Sequence, residues 1–166
     1  MKKSKYTYLK DGFEGILYDT ESEDDRLLIV IQGLKGLELP EKYAGLFAKK
    51  GYSVLAMTYY GAPGLPDTMR AIPLEMFQTA VDHMKEYGSG RYRRFGIYGN
   101  SKGAGMALLA ASVVPDISLV IAASTFGHIM QGSGKADLDP CKAMVSYRGK
   151  DFPYVSNAHM FSNFLK

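Results

Sequence analysis

The stretch that decides the fold is RFGIYGNSKGAG, at residues 94–105. A short apolar run leads into the pattern Gly-x-Ser-x-Gly, in which Gly99 and Gly103 flank Ser101, and a helix-like segment follows at 106–113. Strand, tight turn and helix in this order are the context in which the pattern forms a nucleophile elbow, a turn that presents a serine hydroxyl. Glycine on both sides lets neighbouring backbone approach closely. The stretch therefore predicts Ser101 as a nucleophile and Gly99 and Gly103 as elbow glycines.

Strand and helix patterns alternate along the rest of the chain. Continuous apolar runs are typical of strands buried on both faces of a sheet, and apolar residues at spacings of three and four indicate helices. Helices are predicted from Pro40 and over residues 74–84. The strand candidates are 12–18, which alternates loosely and suits a sheet edge, 27–31, 53–57, 95–98 and 119–123. This order predicts an α/β fold with a parallel sheet, right-handed crossovers and helices on both faces.

Ligands bind such sheets beyond the carboxyl ends of the strands. Four loops are predicted to lie there, at residues 32–36, 58–66, 99–103 and 124–129. We therefore expect any functional site to be built from these loops.

A serine hydroxyl needs a base to take its proton and N–H donors to hold the developing oxyanion. The backbone N–H of Lys102, at the start of the helix after Ser101, is the first predicted oxyanion donor. The second is expected from the loop after strand 27–31, with Leu34 as the first choice and Lys35 as the alternative. A plain strand-to-helix turn is the competing interpretation of that loop.

The general base stays unassigned, because the usual order of serine, acid and histidine on loops after successive strands selects none of the three histidines clearly. His83 falls between apolar positions of a predicted helix, as a boundary residue would. His128 follows the strand at the correct side of the sheet but out of order, and His159 lies in a tail without a pattern. Asp137 and Asp139 are candidates for an orienting acid or for a solvated loop.

Composition limits the function classes. The chain has 166 residues, of which 46% are hydrophobic and 22% charged, which predicts one globular domain over residues 1–166. A net charge of +3 gives no reason to expect nucleic acid as a partner. We interpret Arg91, Arg93 and Arg94 as a solvated rim at the opposite end of the sheet from the site.

Other features concern compartment and cofactors. Cys141 is the only cysteine, which excludes an intrachain disulfide and favours a reducing compartment, the cytoplasm. The basic residues 1–5 are followed by no apolar run, so we expect neither a signal peptide nor a membrane span. Phosphate-loop, dinucleotide-binding and Cys/His metal spacings are missing from the sequence, and we expect no metal and no cofactor.

Several motifs together resemble a known family. They are residues 43–56, Tyr60-Gly61, Leu65-Pro66, the pattern Ile-x-Leu-Glu-x-Phe at 72–77, and Gly-Asn-Ser-Lys-Gly-Ala at 99–104. The chain resembles, from about residue 12 to 124, the α/β-hydrolase domain of acyl-CoA thioesterases and bile acid-CoA:amino acid N-acyltransferases. The resemblance implies a three-layer sandwich and a serine hydrolase that acts on a small-molecule acyl thioester or ester. Ser101 would be acylated, coenzyme A would leave, and water would release the acid.

The chain also departs from this family. Members that transfer the acyl group to an amino acid tend to carry cysteine as nucleophile, so serine favours hydrolysis. Residues 33–36 hold fewer glycines than the family's loop, and the β-sandwich domain of the animal enzymes has no counterpart. The chain ends at Lys166, before the strands that should carry the acid and the histidine, so we expect an incomplete hydrolase domain with weak turnover.

Two consequences and two alternatives follow. Strand 119–123 would form a sheet edge with unpaired backbone groups, and we expect a homodimer or aggregate through it unless the tail covers it. A non-catalytic module that binds an acyl ligand or a partner is the alternative function. Ester or lactone cleavage of the dienelactone hydrolase type is a further alternative.

Overall fold

The computed structural model describes residues 1–132 and 143–156, which contain nine strands and four helices. The strands are β1 (Lys2–Tyr6), β2 (Glu14–Asp19), β3 (Arg26–Gln32), β4 (Ser53–Thr58), β5 (Ile72–Pro73), β6 (Arg94–Asn100), β7 (Ile117–Ala123), β8 (Val145–Tyr147) and β9 (Lys150–Asp151). The helices are α1 (Tyr8–Asp11), α2 (Glu38–Ala48), α3 (Glu75–Glu86) and α4 (Lys102–Val113).

The central sheet has the strand order β1-β2-β4-β3-β6-β7. Strands β3, β4, β6 and β7 are parallel, whereas β1 and β2 are antiparallel to their neighbours. Because helices connect the parallel strands, the carboxyl ends of β3, β4, β6 and β7 meet at one edge of the sheet. The predicted α/β class with a mostly parallel sheet is confirmed.

Helices cover both faces of this sheet, as predicted. On one face, Ala44 and Ala48 of α2 pack against Val30, Val54 and Ala56. On the other face, α3 and α4 pack against the alternate residues of the same strands. The helix residues buried on this face are Met76, Phe77, Ala80, Val81, Met84, Met106, Ala107 and Ala110. Alternation of side chains along each strand places the two sets on opposite faces.

The amino-terminal strand corrects one prediction. Residues 12–18 were expected to form an edge strand, but β2 is an inner strand because β1 pairs with it from Lys2↔Asp19 to Tyr6↔Gly15. The sequence of β1, KKSKY, has no apolar alternation, and its lysines are typical of strands at an exposed edge. Backbone pairing holds this strand in place, so its side chains gave no signal.

A second, small sheet of strand order β5-β8-β9 pairs residues 72–73 with two strands that follow residue 124, and the sequence showed no strand pattern for any of the three. Its strands are two or three residues long, and backbone pairing across distant parts of the chain creates them. Asp137, Asp139, Cys141 and His159 lie outside the described residues. Within residues 1–132 and 143–156, no helix combines the length and apolar character that a bilayer crossing requires.

Arg91 also departs from the predicted solvated rim. Its guanidinium lies 2.6 Å from Oδ1 of Asp19, at the end of β2, in a pair that is largely buried. Arg94 instead pairs with Asp25 at the surface. The Asp19–Arg91 pair joins β2 to the segment that enters β6, the strand that leads to Ser101.

Candidate active site

Ser101 occupies a sharp turn between β6 and α4. Its backbone has φ 57° and ψ −128°, a left-handed conformation that costs a residue with a Cβ about 1–3 kcal/mol. The Ser101 N–H donates to the Ala123 carbonyl (2.9 Å), and the Ala104 N–H donates to the Ser101 carbonyl (2.9 Å). These two hydrogen bonds hold the strained residue in place, with its side chain exposed at the carboxyl edge of the sheet.

The two glycines of the turn allow contacts that any side chain would block. A Cβ built on Gly99 would lie 2.1 Å from the carbonyl oxygen of Gly103. A Cβ built on Gly103 would lie 2.8 Å from the carbonyl carbon of Gln32, at the end of β3. Close backbone packing therefore requires glycine at both positions. It also brings the turn at Ser101 against the loop that follows β3.

The loop after β3 carries Leu34, the second predicted oxyanion donor, and Lys35, its alternative. A Cβ on Gly33 would lie 3.0 Å from the Lys102 nitrogen, so the loop and the first residue of α4 are in contact. Within residues 1–132 and 143–156, neither the Leu34 N–H nor the Lys102 N–H donates a hydrogen bond. The structure thus brings Gly33, the residue before Leu34, against Lys102, the residue after Ser101.

Tyr60, after β4, is a residue of this site that the sequence analysis missed. Its hydroxyl donates to the Gly33 carbonyl at 3.2 Å, linking the loops that follow β3 and β4. The Thr58 hydroxyl in turn donates to the Tyr60 carbonyl at 3.1 Å. The sequence did place Tyr60 in one of the four loops where a site was expected, at the carboxyl edge of the sheet, and this position could have identified it.

Neither of the two described histidines makes a hydrogen bond to Ser101. His83 packs edge-on against Tyr6 and Phe13, with ring centroids 5.0 Å and 5.5 Å away. This is the boundary position predicted for it. The Ser101 hydroxyl makes no hydrogen bond to any group in the described part of the chain.

His128 lies in a small cavity of about 210 Å³ that Ser101 does not line. Gly105, Leu108 and Phe126 line it, and a Cβ on Gly105 would meet the Phe126 ring. Among the described residues, the His128 Nε2 atom is buried without a hydrogen-bond partner. The general base therefore remains unassigned. Residues 1–132 and 143–156 contain no group of three or more His, Cys, Asp or Glu side chains placed to hold a metal.

Comparisons with known proteins point to thioesterases over part of the chain. No protein-family model matches. The chain is 32% identical over 118 residues to acyl-coenzyme A thioesterase 1 of Mus musculus, which covers 71% of this chain and 26% of that protein. It is 34% identical over 83 residues to acyl-coenzyme A thioesterase 2, mitochondrial, of Rattus norvegicus, covering 50% of this chain and 18% of that protein. The chain thus spans about a quarter or less of these relatives.

Solved structures agree on the fold. The Pyrococcus furiosus esterase PF2001 superposes with a TM-score of 0.58 at 21% identity, over 75% of this chain and 49% of that one. A thioesterase domain from the curacin biosynthetic pathway superposes with a TM-score of 0.52 at 18% identity, over 84% and 50%. The chain therefore has an α/β-hydrolase fold and is homologous, over half to 71% of its length, to acyl-coenzyme A thioesterases 1 and 2.

Proposed function

We propose that the chain is a serine hydrolase of the acyl-CoA thioesterase type, in which Ser101 attacks the carbonyl carbon of an acyl thioester or ester. The observation that carries the proposal is the exposed, left-handed Ser101, whose turn packs against the loop of Gly33. Within the described residues, neither the Lys102 N–H at this turn nor the Leu34 N–H of that loop donates a hydrogen bond. Homology to acyl-coenzyme A thioesterases supports a thioester as substrate. The Leu34 side chain, 64% exposed beside this turn, offers apolar surface to an acyl chain.

The chemistry consists of two acyl transfers. The Ser101 oxygen bonds to the carbonyl carbon, and the serine proton passes to a base while the N–H groups of Leu34 and Lys102 hold the oxyanion. The carbon–sulfur bond then breaks, and the leaving thiolate takes up the proton. Water attacks the resulting serine ester, which releases the carboxylic acid and restores the hydroxyl. No described residue is assigned as the base, so we expect weak turnover.

A fluorophosphonate probe tests the nucleophile directly. An activated Ser101 bonds to phosphorus and expels fluoride, so the chain gains the mass of the phosphonyl group. We expect the wild-type chain to be labelled and Ser101→Ala not to be labelled at all, as intact-protein mass spectrometry would show. His128→Ala is the control for the base. Labelling should be unchanged in this variant because His128 lies in a cavity that Ser101 does not line.

The same experiment separates the second candidate function. A non-catalytic module that binds an acyl ligand is favoured by one observation, the lack of a described histidine hydrogen-bonded to Ser101. A wild-type chain that folds but remains unlabelled supports this module and rejects the hydrolase. Rapid thioester hydrolysis that is lost in His128→Ala would contradict our expectation of weak turnover and identify the base.

We also propose that a second copy of the chain pairs with β7. This strand ends the sheet, and no described residue pairs with its outer edge. Leu119 and Ile121 of β7 are exposed and line an apolar groove of about 420 Å³ together with Leu28 and Phe47. Pairing of β7 with β7 across a two-fold axis would satisfy the free backbone groups and cover these side chains.

Light scattering after size-exclusion chromatography tests the pairing. We expect the wild-type chain to be dimeric at tens of micromolar and Leu119→Lys to be monomeric, because lysine at the edge opposes strand pairing. Leu46→Lys is a matched control, since Leu46 and Leu119 are both 55% exposed but Leu46 lies on α2 outside the groove lining. A monomeric wild-type chain would reject the proposal.

A further inference from the structure

Among residues 1–132 and 143–156, one side-chain hydrogen bond connects the loop that carries Leu34 to the rest of the site. The Tyr60 hydroxyl donates to the Gly33 carbonyl at 3.2 Å, and these residues are 27 positions apart in sequence. In a trans peptide the carbonyl and the following N–H point in opposite directions within one rigid plane. A hydrogen bond to the Gly33 carbonyl therefore also sets the direction of the Leu34 N–H, away from Tyr60.

Tyr60 itself is firmly held. The Thr58 hydroxyl donates to its carbonyl, and the Tyr59 ring lies 5.4 Å from its ring, centroid to centroid. The next residue, Gly61, donates its N–H to the Pro66 carbonyl at 2.7 Å, which closes the loop after β4. Burial raises the pKa of Tyr60, so its hydroxyl keeps its proton and remains a donor.

Close packing of Gly33 against Lys102 also holds the start of the loop after β3, but it adds no hydrogen bond to the Gly33–Leu34 peptide among the described residues. Within the described residues, Leu34 makes no backbone hydrogen bond, and Gly36 lies in open space with φ +82°. The aliphatic part of Lys35 lies over Gly61, a contact that fixes no peptide orientation. The Tyr60 hydroxyl is thus the polar contact that orients the peptide between Gly33 and Leu34.

We propose that Tyr60 is a positioning residue, which orients the Leu34 N–H towards the oxyanion formed on Ser101. This rests on the proposed serine hydrolase function and adds a residue to its machinery. The tyrosine does not touch the substrate. It acts through the Gly33 peptide, so its loss should slow the chemical step and leave binding of the acyl group nearly unchanged.

Tyr60→Phe tests the proposal because it removes the hydroxyl and keeps the ring. We expect the maximal rate of fluorophosphonate labelling to fall about tenfold, less than the loss of about 100-fold or more for removing a donor entirely. The probe concentration at half-maximal rate should change less than twofold. Amide hydrogen exchange in residues 33–36 should rise in the same variant, since the loop loses its anchor.

Tyr59→Phe is the matched control. The Tyr59 hydroxyl is buried without a hydrogen-bond partner among the described residues. Its removal should therefore leave both the labelling rate and the amide hydrogen exchange in residues 33–36 unchanged. Thr58→Val is a second variant that should loosen the loop after β3. It leaves the Tyr60 ring in place but frees its carbonyl, and exchange in residues 33–36 should rise to a smaller extent.

The outcomes are separable. Equal labelling rates in wild type and Tyr60→Phe would overturn the positioning role, as would unchanged exchange in residues 33–36. A drop in labelling that Tyr59→Phe reproduces would also overturn it, because the effect would then come from the core and not from the hydrogen bond. A wild-type chain that is never labelled rejects the hydrolase itself, and loop exchange alone then decides whether Tyr60 anchors the loop.

Discussion

Replacing Gly99 with alanine is expected to destabilise the chain by more than about 3 kcal/mol. The added Cβ would lie 2.1 Å from the Gly103 carbonyl oxygen and 2.8 Å from the Cα of Ala104. Both atoms belong to the backbone of α4, so no side-chain rotation can relieve the overlap. Either α4 moves away from β6 or the turn at Ser101 opens. Thermal unfolding by circular dichroism should show a melting temperature about 10 °C lower.

The matched control for this substitution is Gly45→Ala. Gly45 lies within α2, and a Cβ there would meet nothing within 4 Å. Alanine favours a helix interior over glycine by about 1 kcal/mol, so this variant should be slightly more stable than wild type. If Gly99→Ala melts at the wild-type temperature, the close packing of β6 against α4 described above is wrong.

Asp19→Ala is expected to cost about 3–5 kcal/mol, the second large effect. The Asp19 side chain is 5% exposed, and its carboxylate accepts hydrogen bonds from Arg91 (2.6 Å), the Glu21 N–H (2.7 Å) and the Tyr87 hydroxyl (3.1 Å). Removal of the carboxylate leaves a largely buried guanidinium without its counter-charge. The melting temperature should fall by at least about 6 °C.

This carboxylate also predicts a pH dependence. Burial alone raises the pKa of Asp19, but hydrogen bonds from the Glu21 amide and the Tyr87 hydroxyl, with the charge of Arg91, lower the pKa overall. A lowered folded pKa means that the stabilisation is present above the unfolded pKa of about 4 and is lost as the pH falls through the folded value. The difference in melting temperature between wild type and Asp19→Ala should therefore be full at pH 7 and smaller at pH 3.

Asp25→Ala serves as the control for burial. Asp25 pairs with Arg94 over a similar distance in sequence, but the two side chains are 35% and 63% exposed. Exposed pairs contribute roughly 0–1 kcal/mol, so this variant should melt within about 3 °C of wild type. Equal losses in Asp19→Ala and Asp25→Ala would show that burial does not decide the strength of these pairs.

The buried parts of the fold could be predicted because apolar side chains determine them. Strands β3, β4 and β6 lie between two helical layers, so each appears in the sequence as an apolar run with boundaries accurate to two residues. Strand β7 is also apolar and was predicted to the same accuracy, although one of its faces is exposed. Strands β1, β8 and β9 could not be predicted. Their positions depend on backbone pairing with distant strands, and their side chains are mostly exposed or only partly buried.

The candidate site divides in the same way. The turn at Ser101 follows from a local pattern, since Gly99 and Gly103 lie within two residues of the serine. The hydrogen bond from Tyr60 to Gly33 joins two loops that only the order of β4 beside β3 brings together. A single sequence shows neither that adjacency nor the direction of the hydroxyl.

The left-handed backbone of Ser101 lowers the stability of the fold, whereas the side chain of the same residue is needed for the proposed reaction. Glycine adopts this conformation without a Cβ penalty, so exchange of the serine for glycine relieves strain while it discards the hydroxyl. A screen that ranks random variants by heat resistance would therefore reward the removal of the proposed nucleophile. Libraries intended to make this molecule more robust should hold position 101 constant and be sorted by probe reactivity as well as by melting temperature.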